Sequence, residues 1–411
     1  MRLLHTSDWH LGQSLHGHDR AWEQQKFLDW LLDTLVAHDI DALLVSGDIF
    51  DNANPSSASQ AMLYRFLTAA RARVTHLNIV LIAGNHDSPG RLEAPAPFLE
   101  GFDARVVGII ERNETGEIDL DRLIVPLCDR TGAVAAWCLA IPFLRLSDVP
   151  RLETETDAYV AGIAALYCQA QARARDRRQP GQALIALGHC HMAGGQVSEH
   201  SERRILVGGA EMLAASLFDA DIAYAALGHL HLAQKVGGQE RIRYSGSPMP
   251  LSFAETDYPH QVLLVALDGG KLASVEAIAV PRTVPLLRVP PVAAPLAEVE
   301  AALAALELPP APVQAMPYLE VRVLLDQPEP GLRTRIEAAL AGKPVRLARI
   351  ETRTARAQTP SAAPGSLDEL GQLDPLHLFG NAYAAKYGAP PPDELLAALN
   401  EILNLPDAAA A

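Results

Sequence analysis

The chain has 411 residues, 49% of them hydrophobic and 20% charged, and a formal net charge of −15. That is the composition of a globular protein of two or three domains. It excludes a basic coat protein for nucleic acid, but not a nuclease whose acidic site is neutralised by metal ions. No apolar run approaches the roughly 20 residues of a membrane span, and the opening MRLLHTSDWH carries Asp and His where a signal peptide would not. Cys128, Cys138, Cys168 and Cys190 show no paired-ligand spacing, as expected of a reduced, cytoplasmic protein.

In chain order, the first 280 or so residues alternate strands and helices. Leu3-Leu4 opens a strand that ends at Thr6-Ser7-Asp8. The spacing of Phe27, Leu28, Leu31, Leu32 and Leu35 predicts a helix over about 22–37. Ala42 to Val45 reads as a buried strand stopped by Gly47. Pro55-Ser56-Ser57 starts a helix continued by Met62, Leu63, Phe66 and Leu67, and Ile79 to Ile82 is a strand stopped by Gly84. A helix between Thr156 and Arg175 leads to strands at Leu184–Leu187 and Ala223–Leu227, each followed by Gly-His. After Pro281 the chain becomes rich in Pro and Ala. Two β-like runs, Tyr318–Leu325 and Val345–Ile350, flank a helix over Leu332–Leu340. The domains expected are therefore 1–280, a small α+β unit at 281–351, a polar linker at 352–365, and a helical segment at 366–405. That last segment carries Leu367, Leu370, Leu378, Phe379, Tyr383 and Tyr387, then Leu395, Leu396, Leu399, Ile402 and Leu403 after a triple proline. A helix pair too small for its own core docks on something else.

The chemistry lies in five short motifs at strand ends: Asp8-Trp9-His10, Gly47-Asp48-Ile49-Phe50-Asp51, Gly84-Asn85-His86-Asp87, Gly188-His189-Cys190-His191 and Gly228-His229-Leu230-His231. The C-terminal ends of strands are where α/β folds build sites. Mixed carboxylate, imidazole and amide donors suit Mn²⁺, Fe²⁺ or Zn²⁺. If the backbone stays extended, the two side chains of Asp8-x-His10 and of His229-x-His231 point the same way, and the glycines let the chain turn off each strand. Asp8, His10, Asp48, Asn85, His189, His229 and His231 exceed the four donors of one tetrahedral site. They fit two ions bridged by a carboxylate, for which Asp48 in the middle strand is the natural choice. One Gly-His turn is ordinarily only structure, but five such motifs in this order are not.

These motifs closely resemble those of calcineurin-like metallophosphoesterases, an α/β fold of two sheets flanked by helices. The opening HTSDWHLGQSLHGHDR, the run GDIFDNANPS and the closing LDPLHLFGNAYAAKYG narrow the resemblance to the nuclease subunits of bacterial ATPase-linked DNA-repair complexes. The resemblance implies one ion held by Asp8, His10, Asp48 and His231, and another by Asp48, Asn85, His189 and His229. Mn²⁺ is the expected metal, with Mg²⁺ or Fe²⁺ possible. His86 is then the non-ligand histidine near the scissile phosphate, with Asp87 orienting it. His189, directly after its strand, takes the family position, and His191 does not. The resemblance further implies a small capping domain at 281–351, a docking segment at the C-terminus, a partner ATPase, DNA substrates, and a homodimer within a heterotetramer, with roles in DNA repair, recombination and replication.

Other features carry less. His16, His18 and Arg20 lie in the loop after the first motif and are candidates to touch DNA backbone, or are simply solvated. Arg173, Arg175, Arg177 and Arg178 form a basic run of the kind helix C-termini favour. Arg145, Arg203, Arg204, Arg241 and Arg243 are candidates to line a groove. Trp9 reads as packing, and Ser245 to Pro248 as a turn closing the catalytic domain. Gly342-Lys343-Pro344 fails the Gly-x4-Gly-Lys-Ser/Thr phosphate loop, so any ATP dependence comes from a partner. Two rival readings are a phosphatase of the same fold and an idle scaffold for the ATPase.

Overall fold

The buried apolar runs of the sequence become the inner strands of two six-stranded sheets in the computed structural model. It describes residues 1–99, 101, 103–152, 154, 157–196, 212–327, 329–354, 375–392, 395–396 and 399. Two compact units divide the chain, Met1–Val284 and Pro285–Ala411.

The first unit begins with β1 (Arg2–Thr6), a hairpin of β2 (Ser14–Leu15) and β3 (His18–Asp19), and helix α1 (Ala21–Ala37). Then come β4 (Ala42–Ser46), α2 (Ser57–Arg73) and β5 (Asn78–Ile82), two short helices α3 (Pro89–Glu93) and α4 (Ala96–Leu99), and β6 (Ala104–Val107). The second sheet takes β7 (Ile124–Cys128), β8 (Val134–Ala140), β9 (Ala183–His189), β10 (Ile222–Gly228), β11 (Gln234–Val236) and β12 (Gln239–Tyr244), with α5 (Ala158–Arg177) between β8 and β9. The chain then returns to the first sheet with β13 (Gln261–Asp268) and β14 (Lys271–Ala279). The orders are β14-β13-β1-β4-β5-β6 and β11-β12-β10-β9-β8-β7.

Alternation along β4 shows how the layers are sealed. Ala42 and Leu44 enter a core shared with the second sheet, while Leu43 and Val45 enter the core beneath α1 and α2. α5 packs Ile163, Leu166, Tyr167 and Ala170 against the second sheet. β1, β4, β5 and β6 pair in parallel, as do β8, β9, β10 and β12, so the ends that carry the motifs face the same way within each sheet. His5, not among the expected site residues, ties the sheets together. Its Nδ1 lies 2.9 Å from the Tyr224 hydroxyl and its Nε2 3.2 Å from the Leu227 carbonyl, and burial pushes its pKa down to about 3. Arg20 is also buried and is no DNA contact. It binds Glu23, the Gln13 side chain and the Pro250 carbonyl.

The second unit contains β15 (Leu286–Pro295), α6 (Leu296–Ala304), β16 (Tyr318–Leu325), α7 (Leu332–Ala339) and β17 (Arg346–Thr354). Its three strands are parallel and the helices are the crossovers. Val299, Leu303 and Ile336 pack on Leu319, Val321 and Val323. The Pro-rich stretch thus hides a strand and a helix. β15 is an edge strand whose register shifts between Val289 and Ala294, where Pro290 and Pro291 fall, and that is a position where a missing N–H is tolerated. Lys343 donates to the Ala304 and Leu306 carbonyls, a structural role. Further on, the helix Pro375–Tyr387 sets the Phe379 ring against Tyr383 and Tyr383 against Tyr387 in tilted contacts, with centroids 5.9 and 4.5 Å apart. The polar stretch 355–365, Leu367, Leu370, Ile402 and Leu403 lie outside the described residues, as does the side chain of Leu378. Among the described residues no helix is long and apolar enough to cross a membrane.

α2 starts where its sequence signature places it. The Ser56 hydroxyl accepts the Ser59 N–H at 3.1 Å. Replacing Ser56 with Ala should cost about 1 kcal/mol, read as a lower denaturant midpoint with an unchanged m-value.

Candidate metal centre

Five loops meet at the strand ends. The one after β1 is zipped to the one after β4: Asp8 N–H donates to the Gly47 carbonyl, His10 N–H to Asp48 and Leu11 N–H to Ile49, at 2.9–3.0 Å. The backbone at Asp8-x-His10 and His229-x-His231 is not extended, so the condition under which each pair of side chains would point the same way is not met. Asp8, His10, Asp48 and His229 have φ of 54°, 46°, 49° and 105°. Left-handed conformations are uncommon for residues with a Cβ, and their clustering marks a site where strain is held by the surroundings. The glycines serve close approach as much as turning. Gly47 does turn, at φ 86°, but a Cβ on Gly84 would overlap the Asp48 carboxylate.

This backbone gathers Asp8, His10, Asp48, His189, His229 and His231, all buried, with Asn85 at the rim. The ligand atoms of Asp8, His10 and His231 lie within 4.8 Å of one another, as do those of Asp8, Asp48 and His189, and those of His10, Asp48 and His86. His10 Nε2 and His189 Nε2 each stand 3.5 Å from Asp48 Oδ2. Asn85 Oδ1 lies 2.9 Å from His189 Nε2 and 3.1 Å from His229 Nδ1. The second ring nitrogens are held from behind: His189 Nδ1 is 2.8 Å from the Ser46 carbonyl, and His231 Nδ1 is 2.8 Å from Glu255 Oε1. His10 Nε2 is buried and makes no hydrogen bond, which is costly for a polar atom unless a cation takes its lone pair. The donor set of imidazole, carboxylate and amide oxygen fits divalent metal ions.

Two comparisons bear on what this donor set belongs to. Residues 1–233 match the family model described as calcineurin-like phosphoesterase, and residues 282–387 match one described as the type 5 capsule protein repressor C-terminal domain. The chain is also 42% identical over 389 residues to the SbcD subunit of nuclease SbcCD from Rhodobacter capsulatus, covering 93% of this chain and 94% of that protein. The chain belongs to the calcineurin-like phosphoesterase family, in its SbcD branch. It is a metal-dependent nuclease. Proteins of the same name from Escherichia coli K12 and Bacillus subtilis 168 are 38% and 36% identical, over 70% of this chain in each case and 70% and 72% of their own lengths.

Within this phosphoesterase site, Asp87 has another role than the one expected. Its carboxylate accepts the backbone N–H groups of Ile49, Phe50 and Gly84 at 3.1, 2.9 and 2.8 Å, locking two ligand loops together. His86 is oriented instead by the Asp51 carbonyl, 2.7 Å from its Nδ1, while its own N–H donates to Asp48 Oδ1 at 2.8 Å. A carboxylate is drawn to three converging N–H groups more strongly than to a single ring nitrogen. His191 lies outside the donor groups, its ring 6.0 Å from that of His229 and its pKa lowered by burial. Of the arginines singled out, Arg145 reaches the site, donating to the Asp87 carbonyl at 3.4 Å and lying over the Phe143 ring. Arg241 donates to the Phe218, Asp219 and Ile222 carbonyls and Arg243 pairs with Glu240, while Arg203 and Arg204 lie outside the described residues. The basic run ending α5 is spent on Asp121, Asp219 and Asp221. Trp9 is fully buried, edge-on to Phe27 and Phe66, as packing.

Without metal the charges balance internally. Burial pushes the Asp48 carboxyl up, but His189, His10 and His86 outweigh it and hold it well below the usual carboxylate range. Burial opposes a charged His189, yet Asp48 beside it raises that pKa to about 9. His229 is lowered by burial and by the neighbouring His189 charge. A metal needs a neutral imidazole, so loading the site at pH 7 must expel the His189 proton. Affinity for Mn²⁺ should therefore rise with pH and flatten above about 9. Calorimetric titration in two buffers of different protonation enthalpy should find a proton released. Buffer-independent heats would contradict it.

Proposed function

We propose that this protein is the nuclease subunit of an SbcCD-like complex, a two-metal phosphodiesterase that opens DNA hairpins and degrades double-strand ends in repair, recombination and replication. It would act as a 3′→5′ exonuclease and single-strand endonuclease. The observation that carries this reading is the convergence of seven donors from five loops, with Asp48 between His10 and His189, in a chain so similar to an SbcD protein along 93% of its length. Asp8, His10, Asp48 and His231 would hold one ion, and Asp48, Asn85, His189 and His229 the other, with Mn²⁺ the metal we favour. Two such ions supply Lewis acidity, a charge clamp on the phosphate and water of lowered pKa.

The chain's own groups then do three things. The ligand loops, locked by Asp87, hold the donors without rearrangement. With Nδ1–H fixed by the Asp51 carbonyl, His86 would give the leaving oxygen a proton from Nε2 when its ring carries both protons. Arg145 offers positive charge beside the same loop. The chain is acidic overall, so a partner must supply much of the DNA affinity. That partner, and the source of ATP dependence, would be an SbcC-like ATPase bound by the C-terminal helical segment of a homodimer within a cytoplasmic heterotetramer.

The test is cleavage of a hairpin DNA with Mn²⁺, with and without the ATPase and ATP. Hydrolysis of simple phosphate esters alone would favour a phosphatase, and intact metal binding with no hydrolysis a scaffold. Asp48→Ala should remove both ions from the mass-spectrometric metal count, whereas Asn85→Ala should weaken one. His86→Ser should keep metal and DNA binding and lose about 10²–10⁴-fold in turnover; parallel loss of metal would place His86 among the ligands. Truncation after Thr352 should preserve Mn²⁺ binding and basal cleavage of single strands but abolish co-purification with the ATPase. A lower melting temperature with lost basal activity would mean that the tail completes the catalytic core instead.

A further inference from the structure

The segment Ser245–Glu255, which reads in the sequence as a closing turn, is wired into the donor cluster from behind. Glu255 is completely buried, and its Oε1 lies 2.8 Å from His231 Nδ1. Its Oε2 accepts the Leu251 N–H at 2.8 Å and the Ser247 hydroxyl at 3.4 Å. At the other end of the segment, the Ser245 hydroxyl sits 2.8 Å from that of Ser7, which donates to Asp8 Oδ2 at 2.5 Å. Both ends therefore reach donors of one three-member group, Asp8, His10 and His231. His189 is braced differently, by the Ser46 carbonyl.

The segment is itself anchored. Arg20 donates to the Pro250 carbonyl at 2.7 Å, and His260 spans the Ser247 and Glu255 carbonyls at 2.9 and 3.1 Å. A buried carboxylate is costly unless it is hydrogen-bonded. Here it is hydrogen-bonded to one ligand ring and, within its own loop, to the Leu251 N–H and the Ser247 hydroxyl. An ionised carboxylate only accepts, so an ionised Glu255 would place the proton on His231 Nδ1 and leave Nε2 for an ion.

We propose that Glu255 is a positioning residue that fixes the tautomer and direction of His231, and so sets the affinity of the ion held with Asp8 and His10 and not that of the ion beside Asn85. This rests on the two-metal reading of the site. Carboxylates placed behind a ligating histidine typically change metal affinity about 10–100-fold.

The experiment titrates Mn²⁺ into the metal-free full-length chain by electron paramagnetic resonance, for wild type, Glu255→Gln, His231→Ala and the double variant. Wild type should take up two ions. Glu255→Gln should lose about 10–100-fold at one site and leave the other unchanged, and adding it to His231→Ala should change nothing further. Long-range ¹H–¹⁵N spectra of metal-free wild type, with His231→Ala for assignment, should show His231 as the Nδ1–H tautomer. Unchanged affinity, equal weakening of both ions, an additive effect in the double variant, or an Nε2–H tautomer would each overturn the proposal. If Glu255→Gln fails to fold, the wild-type tautomer decides. Wild type that binds no divalent ion would sink the two-metal reading itself, an outcome distinct from two ions indifferent to Glu255.

Discussion

Asp48 is a carboxylate buried at the end of the central strand, with two imidazole nitrogens 3.5 Å from one of its oxygens. An ion so placed is tolerated only if positive charge stands beside it. The His189 imidazole, whose pKa Asp48 raises against the effect of burial, is the group placed to supply that charge. The neighbouring features follow from keeping this charge in place and dry. Gly84 must lack a Cβ because Asp48 occupies that space, and the His86 backbone N–H caps the carboxylate's other oxygen. Asp87, itself raised to about 6 by burial and by Asp48, stays in place because three backbone N–H groups oppose that rise.

Strain is the second constraint. Four donor residues take left-handed backbone, each at a cost of about 1–3 kcal/mol. The strain is tolerated because the loops are over-determined. The Asp8–Gly47 and His10–Asp48 backbone bonds, the Asp87 clamp and the Ser7–Ser245 contact each restrain the same few residues. The donors are thus held ready before any ligand arrives, which is the arrangement that electrostatic catalysis requires.

The pairing of charges elsewhere narrows where nucleic acid can meet the first unit. Arg173, Arg175, Arg177 and Arg178 are matched by aspartates, Arg20 is buried, and Arg241 braces a loop. A basic run in sequence is not a basic patch when the fold sets acids against it. Arg145 differs in its place, because it donates to the Asp87 carbonyl in a donor loop and lies over the Phe143 ring.

Much of this protein was legible in its residues. Each strand of the first unit that carries a motif is an apolar run ended by a polar donor, because a strand buried on both faces admits little else. The helix starts at Ser56 and near Trp22 follow from capping and 3.6-residue spacing, which are local. What sequence could not reach depended on partners far along the chain. β15 and α6 were hidden in the Pro-rich stretch because edge position, not composition, makes proline tolerable there. Asp87 looked like a partner for its neighbour His86, but three N–H groups from two loops were better targets for its carboxylate, and only the fold brings them together. Glu255 and Ser245 gave no local sign, since their partners His231 and Ser7 lie 24 and 238 residues away. The donor types and their order along the chain are properties of the sequence. Which ring nitrogen is braced from behind, which carboxylate is spent on backbone and which arginine reaches the donor loops were decided by tertiary structure, because hydrogen bonds and charges answer to distance in space and not to distance along the chain.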